Sequence, residues 1–229
     1  MKRFYKHAAV AGDTAPFGVT LDARPLRTPA RAPLALPTRA LADAIAGEWQ
    51  AQGDEIAPRS MVLTGLANAA IDRVAPDPAG FAAGLARFAE NELLAYRADG
   101  PPPLVARQAA EWDPWLAWAR RRYDVDFTLV TGIIHAPQPA ATLVRIAAAL
   151  AALDAFRLAA LHPVVTICGS AVLGLAIAEA AIDADTAWTV SHLDELWQAE
   201  QWGKDPLAEA GHRERQGELA AAVRMLGLL

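Results

Sequence analysis

The chain has 229 residues, 54% of them hydrophobic, enough to bury a core in one large domain or two modest ones and too many for global disorder. Its formal charge of -5, from 26 acidic and 21 basic residues, excludes a nucleic-acid binder that relies on a basic surface. A single cysteine, Cys168, rules out an intrachain disulfide, and the N-terminus lacks the apolar core and cleavage site of a signal peptide, so a cytoplasmic location is expected.

The first elements are short. Residues 1–37 contain "RFYKHAAV", "FGVTLD", "PLRTP" and "APLALP", apolar stretches punctuated by Pro25, Pro29, Pro33 and Pro37. This predicts a small antiparallel β unit whose prolines mark strand ends or edges. The period changes at Thr38, a candidate N-cap. Leu41, Ile45, Glu48 and Trp49 then follow at near-helical spacing up to a stop at Gly53. Two further helical patterns follow. One places Met61, Leu63, Leu66, Ala70 and Ile71 on an apolar face, and the other opens at Asp77 or Pro78 and carries Phe81, Leu85, Phe88 and Glu92.

Three consecutive prolines, Pro101 to Pro103, predict an extended break. Asp113 and Pro114 are read as the cap and first residue of the helix after it. Residues 126–139, "DFTLVTGIIHAPQP", alternate weakly and are β-branched, so they read as extended before a proline-marked break. Helices are expected over 140–161, 169–184, 189–202 and 205–226, with connections at His162–Pro163, Asp185 and Gly203. The apolar run over 164–182 contains Glu179 and is rich in Ala and Gly, so it reads as buried helix with no membrane insertion. The fold class is therefore α+β: a β-rich N-terminal unit over 1–37, helices over 38–75 linking or packing on it, and a mainly helical domain over 76–229.

Familiar catalytic signatures are missing. The five histidines show no paired metal spacing, and Glu209 with His212 makes a single ExxH pair where a helical di-metal site needs two. The segment "GSAVLG" at 169–174 is followed by Leu-Ala where a phosphate loop needs Lys and Ser or Thr. No cofactor, metal or catalytic residue is assigned.

The segment "SHLDELWQAEQWGKD", 191–205, has two faces. At 100° per residue, Leu193, Leu196, Trp197 and Glu200 form one stripe that should face the core, with Glu200 at its edge. Glu195, Gln198 and Trp202 fall on the other side, within roughly 60° of one another. Ser191 and Asp194 resemble a capping arrangement, and Asp205 is a candidate cap for the next helix. Glu195 is the acid that local structure leaves without a duty. Solvation alone or a recognition face for an arginine or backbone amide would both explain it. Trp49 and Asp113 are read as structural first, one a core or interdomain plug and the other a helix cap.

Seven stretches in order along the chain carry a family resemblance: "RFYK", "LDARPLRTP", "LALPTRALADAIAGEWQAQG", "MVLTGLANAAID", "LLAYRA", "QAAEWDPWLAW" and "WQAEQWGKD". Together they resemble the ATP12 family of F1 ATP synthase assembly chaperones. Ala23 departs from the pattern, which more often has Gly there in a turn where glycine tolerates positive φ. The resemblance implies a β-containing N-terminal domain, a helical C-terminal domain and transient binding of the F1 α subunit before assembly, without catalytic turnover. Glu195 would be its main contact, completed by Gln198 and Trp202, with Trp49 and Asp113 as secondary candidates. With no evident transit peptide, a bacterial cytoplasmic member is expected, or a mitochondrial matrix one if this is a mature eukaryotic form. Two competing classes stay open at this point: an enzyme with an interdomain acid/base site around Glu195, and a stable subunit of a larger complex.

Overall fold

Asp22 and Ala23 both take positive φ, 47° and 66°, which is the backbone of a type I′ hairpin turn. They join β2 (Gly18–Leu21) to β3 (Arg24–Pro25), and β1 (Ala8–Ala11) completes an antiparallel sheet in the order β1-β2-β3. The Asp22 carboxylate accepts from the backbone N–H groups of Lys6 and His7, tying the turn to the start of β1. Ala23 therefore occupies, with a Cβ, a left-handed position that suits glycine. These observations come from a computed structural model that describes residues 1–203 and 205–229.

The chain divides into two compact units. The first comprises Met1–Pro78, Asp154–Ala160 and Ala221–Leu229. Its sheet packs on α1 (Arg39–Gln50), which Thr38 caps by accepting from Leu41 N–H at 3.2 Å. Leu41, Ala42, Ile45 and Ala46 form the buried face of α1, and they meet Val19, Leu34, Leu36 and Leu63 in one core. The next helix, α2 (Val62–Ala69), has Met61 at its N-cap, which offers no side-chain oxygen. Glu48 of α1 supplies it instead. Its carboxylate accepts from Leu63 N–H at 2.7 Å, Thr64 N–H at 2.8 Å and the Thr64 hydroxyl at 2.7 Å.

The second unit comprises Ala79–Leu153 and Leu161–Ala220. After α3 (Pro78–Ala86) and β4 (Tyr96–Arg97), α4 runs from Pro102 to Tyr123. The expected extended break and the helix start at Asp113 are both overturned. Pro102 opens the helix, where no intrahelical N–H is required, and Pro114 lies inside it. An internal proline costs about 3 kcal/mol. Burying Trp112 to 1% exposure, with its indole N–H donated to Val190 C=O at 2.8 Å, outweighs that cost.

The following segment is extended only at β5 (Val130–Thr131), which pairs parallel with β4. The helix expected over 140–161 is two helices, α5 (Ala140–Ala151) and α6 (Ala155–Cys168). Asp154 causes the break by accepting from the Phe156 and Arg157 N–H groups, both at 2.9 Å. Pro163, read as a connection, lies within α6, where Leu161, Val164 and Val165 are fully buried.

Next comes α7 (Ala171–Ala178), buried on all sides from Ala171 to Ile177, as its apolar run demands. Gly174 has a packing role: a Cβ there would lie 2.5 Å from Val165 Cγ2. The expected 189–202 helix is likewise two, α8 (Ala184–Ser191) and α9 (Leu193–Trp202), followed by α10 (Pro206–Gly227). Among the described residues no helix is long and apolar enough to cross a membrane. An N-terminal antiparallel sheet with a helical remainder makes the fold α+β.

A candidate binding cleft between two helices

The cleft is built on α9, and its three acids go to different places. Ser191 does not cap this helix: it ends α8, its hydroxyl donating to Trp188 C=O, and His192 is the junction residue. Asp194 instead accepts from the buried Gln108 amide of α4 at 2.8 Å. Glu200, expected at the edge of the apolar stripe, is 51% exposed in its side chain and accepts from Arg107 at 2.7 Å. The same Arg107 lies 5.9 Å from the Trp197 ring centre, a cation–π contact that covers part of the indole. Leu193 remains as the fully buried anchor of the helix.

Glu195, Gln198 and Trp202 come together, all exposed, along one side of a cleft of about 490 Å³. The opposite wall is the first half of α10, with Glu209, His212 and Arg213. Gly203, at φ 88°, turns the chain between the two helices, and Asp205 starts α10 by accepting from Leu207 N–H at 3.0 Å. Glu195 makes no hydrogen bond or ion pair to another described residue, although its charge is felt by His192. Trp202 is 79% exposed, which leaves a large apolar surface uncovered at the lip of the cleft.

Behind this rim is an aromatic wall. Trp188 is stacked on His192 with ring centres 3.6 Å apart, and His212 stands edge-on to both at 5.6 and 5.8 Å. Burial lowers the His192 pKa below its ordinary value, partly offset by the neighbouring Glu195 carboxylate. Among its described lining residues the cleft carries three carboxylates, Glu195, Asp205 and Glu209, against one guanidinium, Arg213. An acidic concavity with an exposed indole at its lip can take a cationic group together with apolar surface.

The two secondary candidates lie elsewhere. Trp49 packs on Tyr5, ring centres 5.7 Å apart, and its carbonyl accepts from the Tyr5 hydroxyl at 2.6 Å. Asp113 is not a cap; it accepts from Arg97 at 2.7 Å, and Arg97 in turn covers the Trp112 ring. Both serve the packing around them.

Two functional-looking residues escaped sequence reasoning. Glu92, expected on a helix face, is fully buried at the N-terminus of α7, where its carboxylate accepts from Val172 N–H at 3.2 Å. Burial pushes its pKa up to about 7 against these hydrogen bonds, and nothing can reach it from solvent. Gln108 is the other, and its signal was a polar residue four before Trp112, on the apolar stripe of its helix. Among the described residues no group of three or more His, Cys, Asp or Glu is placed to hold a metal ion.

Comparison with known proteins gives a consistent picture. The family model described as ATP12 chaperone protein matches residues 2–120. The structure of Atp12 from Paracoccus denitrificans aligns with a TM-score of 0.94 at 44% identity, covering 99% of this chain and 97% of that one. The Atu1473 protein of Agrobacterium tumefaciens aligns with the same TM-score at 41% identity, covering 99% of this chain and 85% of its own. With half the chain matched by the family model and nearly all of it by these structures, this chain belongs to the ATP12 chaperone family.

Proposed function

We propose that the protein is an ATP-independent assembly chaperone that binds the F1 ATP synthase α subunit transiently, through Glu195, Gln198 and Trp202, before F1 is built. The observation that carries this reading is the state of Glu195. Of the three acids on α9 it alone has no hydrogen bond or ion pair to another described residue, and it faces a cleft beside an exposed indole. Family membership supports the chaperone part of the reading.

The physical logic is that of a temporary cover. An unassembled subunit exposes apolar interface and unpaired polar groups that associate wrongly. Trp202 covers apolar surface, Gln198 offers both donor and acceptor, and Glu195 accepts from a client arginine or backbone N–H. A proper neighbouring subunit with larger complementary surface then displaces the chaperone, so release requires no hydrolysis. The exposed setting of Glu195 fits a docking rim better than an acid/base site, which requires convergent groups in an enclosed, water-excluding pocket. The proposed place of action is the bacterial cytoplasm.

The test is a nucleotide-free aggregation assay of isolated F1 α subunit. The protein should suppress light scattering near equimolar ratio, whereas a Glu195→Gln variant with unchanged thermal stability should suppress it poorly. Failure of the unaltered protein to bind or protect would overturn the client. Equal protection by the variant would overturn the face.

A further inference from the structure

Gln108 lies on α4, outside the cleft, and is 1% exposed. Its amide oxygen accepts from Ala98 N–H at 2.8 Å, and its amide nitrogen donates to Asp194 Oδ1 at 2.8 Å. A side-chain amide meets both demands at once, because it carries an acceptor and a donor on one planar group. A carboxylate would meet the backbone N–H and repel Asp194, and an aliphatic side chain would leave both part-buried groups without this partner.

Two neighbours on α4 act in the same direction. Arg107 binds Glu200 at 2.7 Å and covers Trp197, and Trp112 donates to Val190 C=O at 2.8 Å. Three donors within six residues of one helix, Arg107, Gln108 and Trp112, thus grip the end of α8 and both ends of α9. Asp194 and Glu200 are six residues apart, so fixing both sets the rotation of α9 about its axis. That rotation is what leaves Glu195 and Gln198 facing the cleft and not Asp194 or Glu200.

We infer that Gln108 is a positioning residue for client binding: by holding Asp194 it orients α9 so that Glu195, Gln198 and Trp202 present one face. This inference rests on reading that face as the client contact. Gln108 touches no client.

The test exploits the polarity of the amide. Gln108→Glu places two carboxylates against each other. Adding Asp194→Asn restores both bonds with the second one reversed, since Asn donates where Asp accepted. Amide hydrogen exchange across residues 196–202 should speed up by about tenfold in the single variant, with α1 as internal control, and return to normal in the double variant. Binding of purified F1 α subunit should weaken by about tenfold and recover in parallel.

Unchanged exchange in Gln108→Glu, or no recovery on adding Asp194→Asn, would overturn the positioning role. If exchange responds and Glu195→Gln weakens binding but Gln108→Glu does not, the positioning role falls while the client face stands. If exchange responds and neither variant alters binding, the client face itself falls, and the inference with it.

Discussion

Proline behaves in opposite ways in the two regions of this molecule. Near the N-terminus Pro25 closes the short β3, and Pro33 and Pro37 punctuate the connection into α1, each marking a boundary as local rules prescribe. In the helical region Pro114 and Pro163 lie inside α4 and α6 without ending them. The difference is in what surrounds the residue. The β unit has short elements with little to lose by stopping, whereas stopping α4 or α6 would expose Trp112 or the buried Leu161, Val164 and Val165. Local propensity sets the outcome where the element ends within a few residues anyway, and it is overruled where one continuous helix carries buried side chains on both sides of the proline.

The strongest way to break this comparison is to remove the burial. Trp112→Ala takes away the ring that makes a continuous α4 worthwhile and leaves Val190 C=O without its donor. It should cost about 3–5 kcal/mol, seen as a lower denaturation midpoint. A loss under 1 kcal/mol would mean that α4 does not depend on its tryptophan. The proline itself can be tested by Pro114→Ala, which restores an N–H and relieves the ring's clash with the preceding turn. Stability should rise by about 1–3 kcal/mol, and a fall would show that α4 uses the proline for its shape.

In the β unit the corresponding change is Ala23→Gly, at φ 66° in the hairpin turn. Relieving a Cβ in the left-handed region should stabilise by about 1 kcal/mol, offset partly by the entropy of the added glycine in the unfolded chain. An unchanged midpoint would show that the turn already relaxes its strain.

The smallest effect is a difference in acid sensitivity. His192 has a pKa lowered by burial, so the unfolded state takes up protons first as pH falls below its ordinary value of 6.5, and its share of stability is lost below that point. Asp22 in the hairpin is also lowered, by backbone hydrogen bonds from His7 and Lys6, and its contribution persists until pH drops below about 3.8. Hydrogen exchange should therefore rise around α8 and α9 as pH falls below 6.5, while the hairpin stays protected until pH drops below about 3.8. Simultaneous loosening of both would contradict these assignments.

Much of the candidate site was legible in the chain. The spacing of Glu195, Gln198 and Trp202 placed them on one helical face, and they do line one cleft. Less legible was why that face is free. Asp194 looked like part of a cap and Glu200 like the edge of the core stripe, yet each is bound by a residue of α4 more than eighty positions earlier. Periodicity reports which residues share a face of their own helix; it carries no information about donors arriving from another.

The sequence by itself determined the α+β class, the helix start at Thr38 and the placing of an apolar helix where α7 lies, because these follow from local caps, side-chain period and composition. Only the tertiary structure decided that α4 and α6 continue through proline, that Glu48 caps a helix it does not belong to, and that Glu92 is buried under α7. These outcomes depend on free energies shared between segments distant in the chain: apolar area buried against a neighbour, and hydrogen bonds completed from outside the element. Such terms are absent from any short window of residues, and they were large enough here to override what the window prescribes.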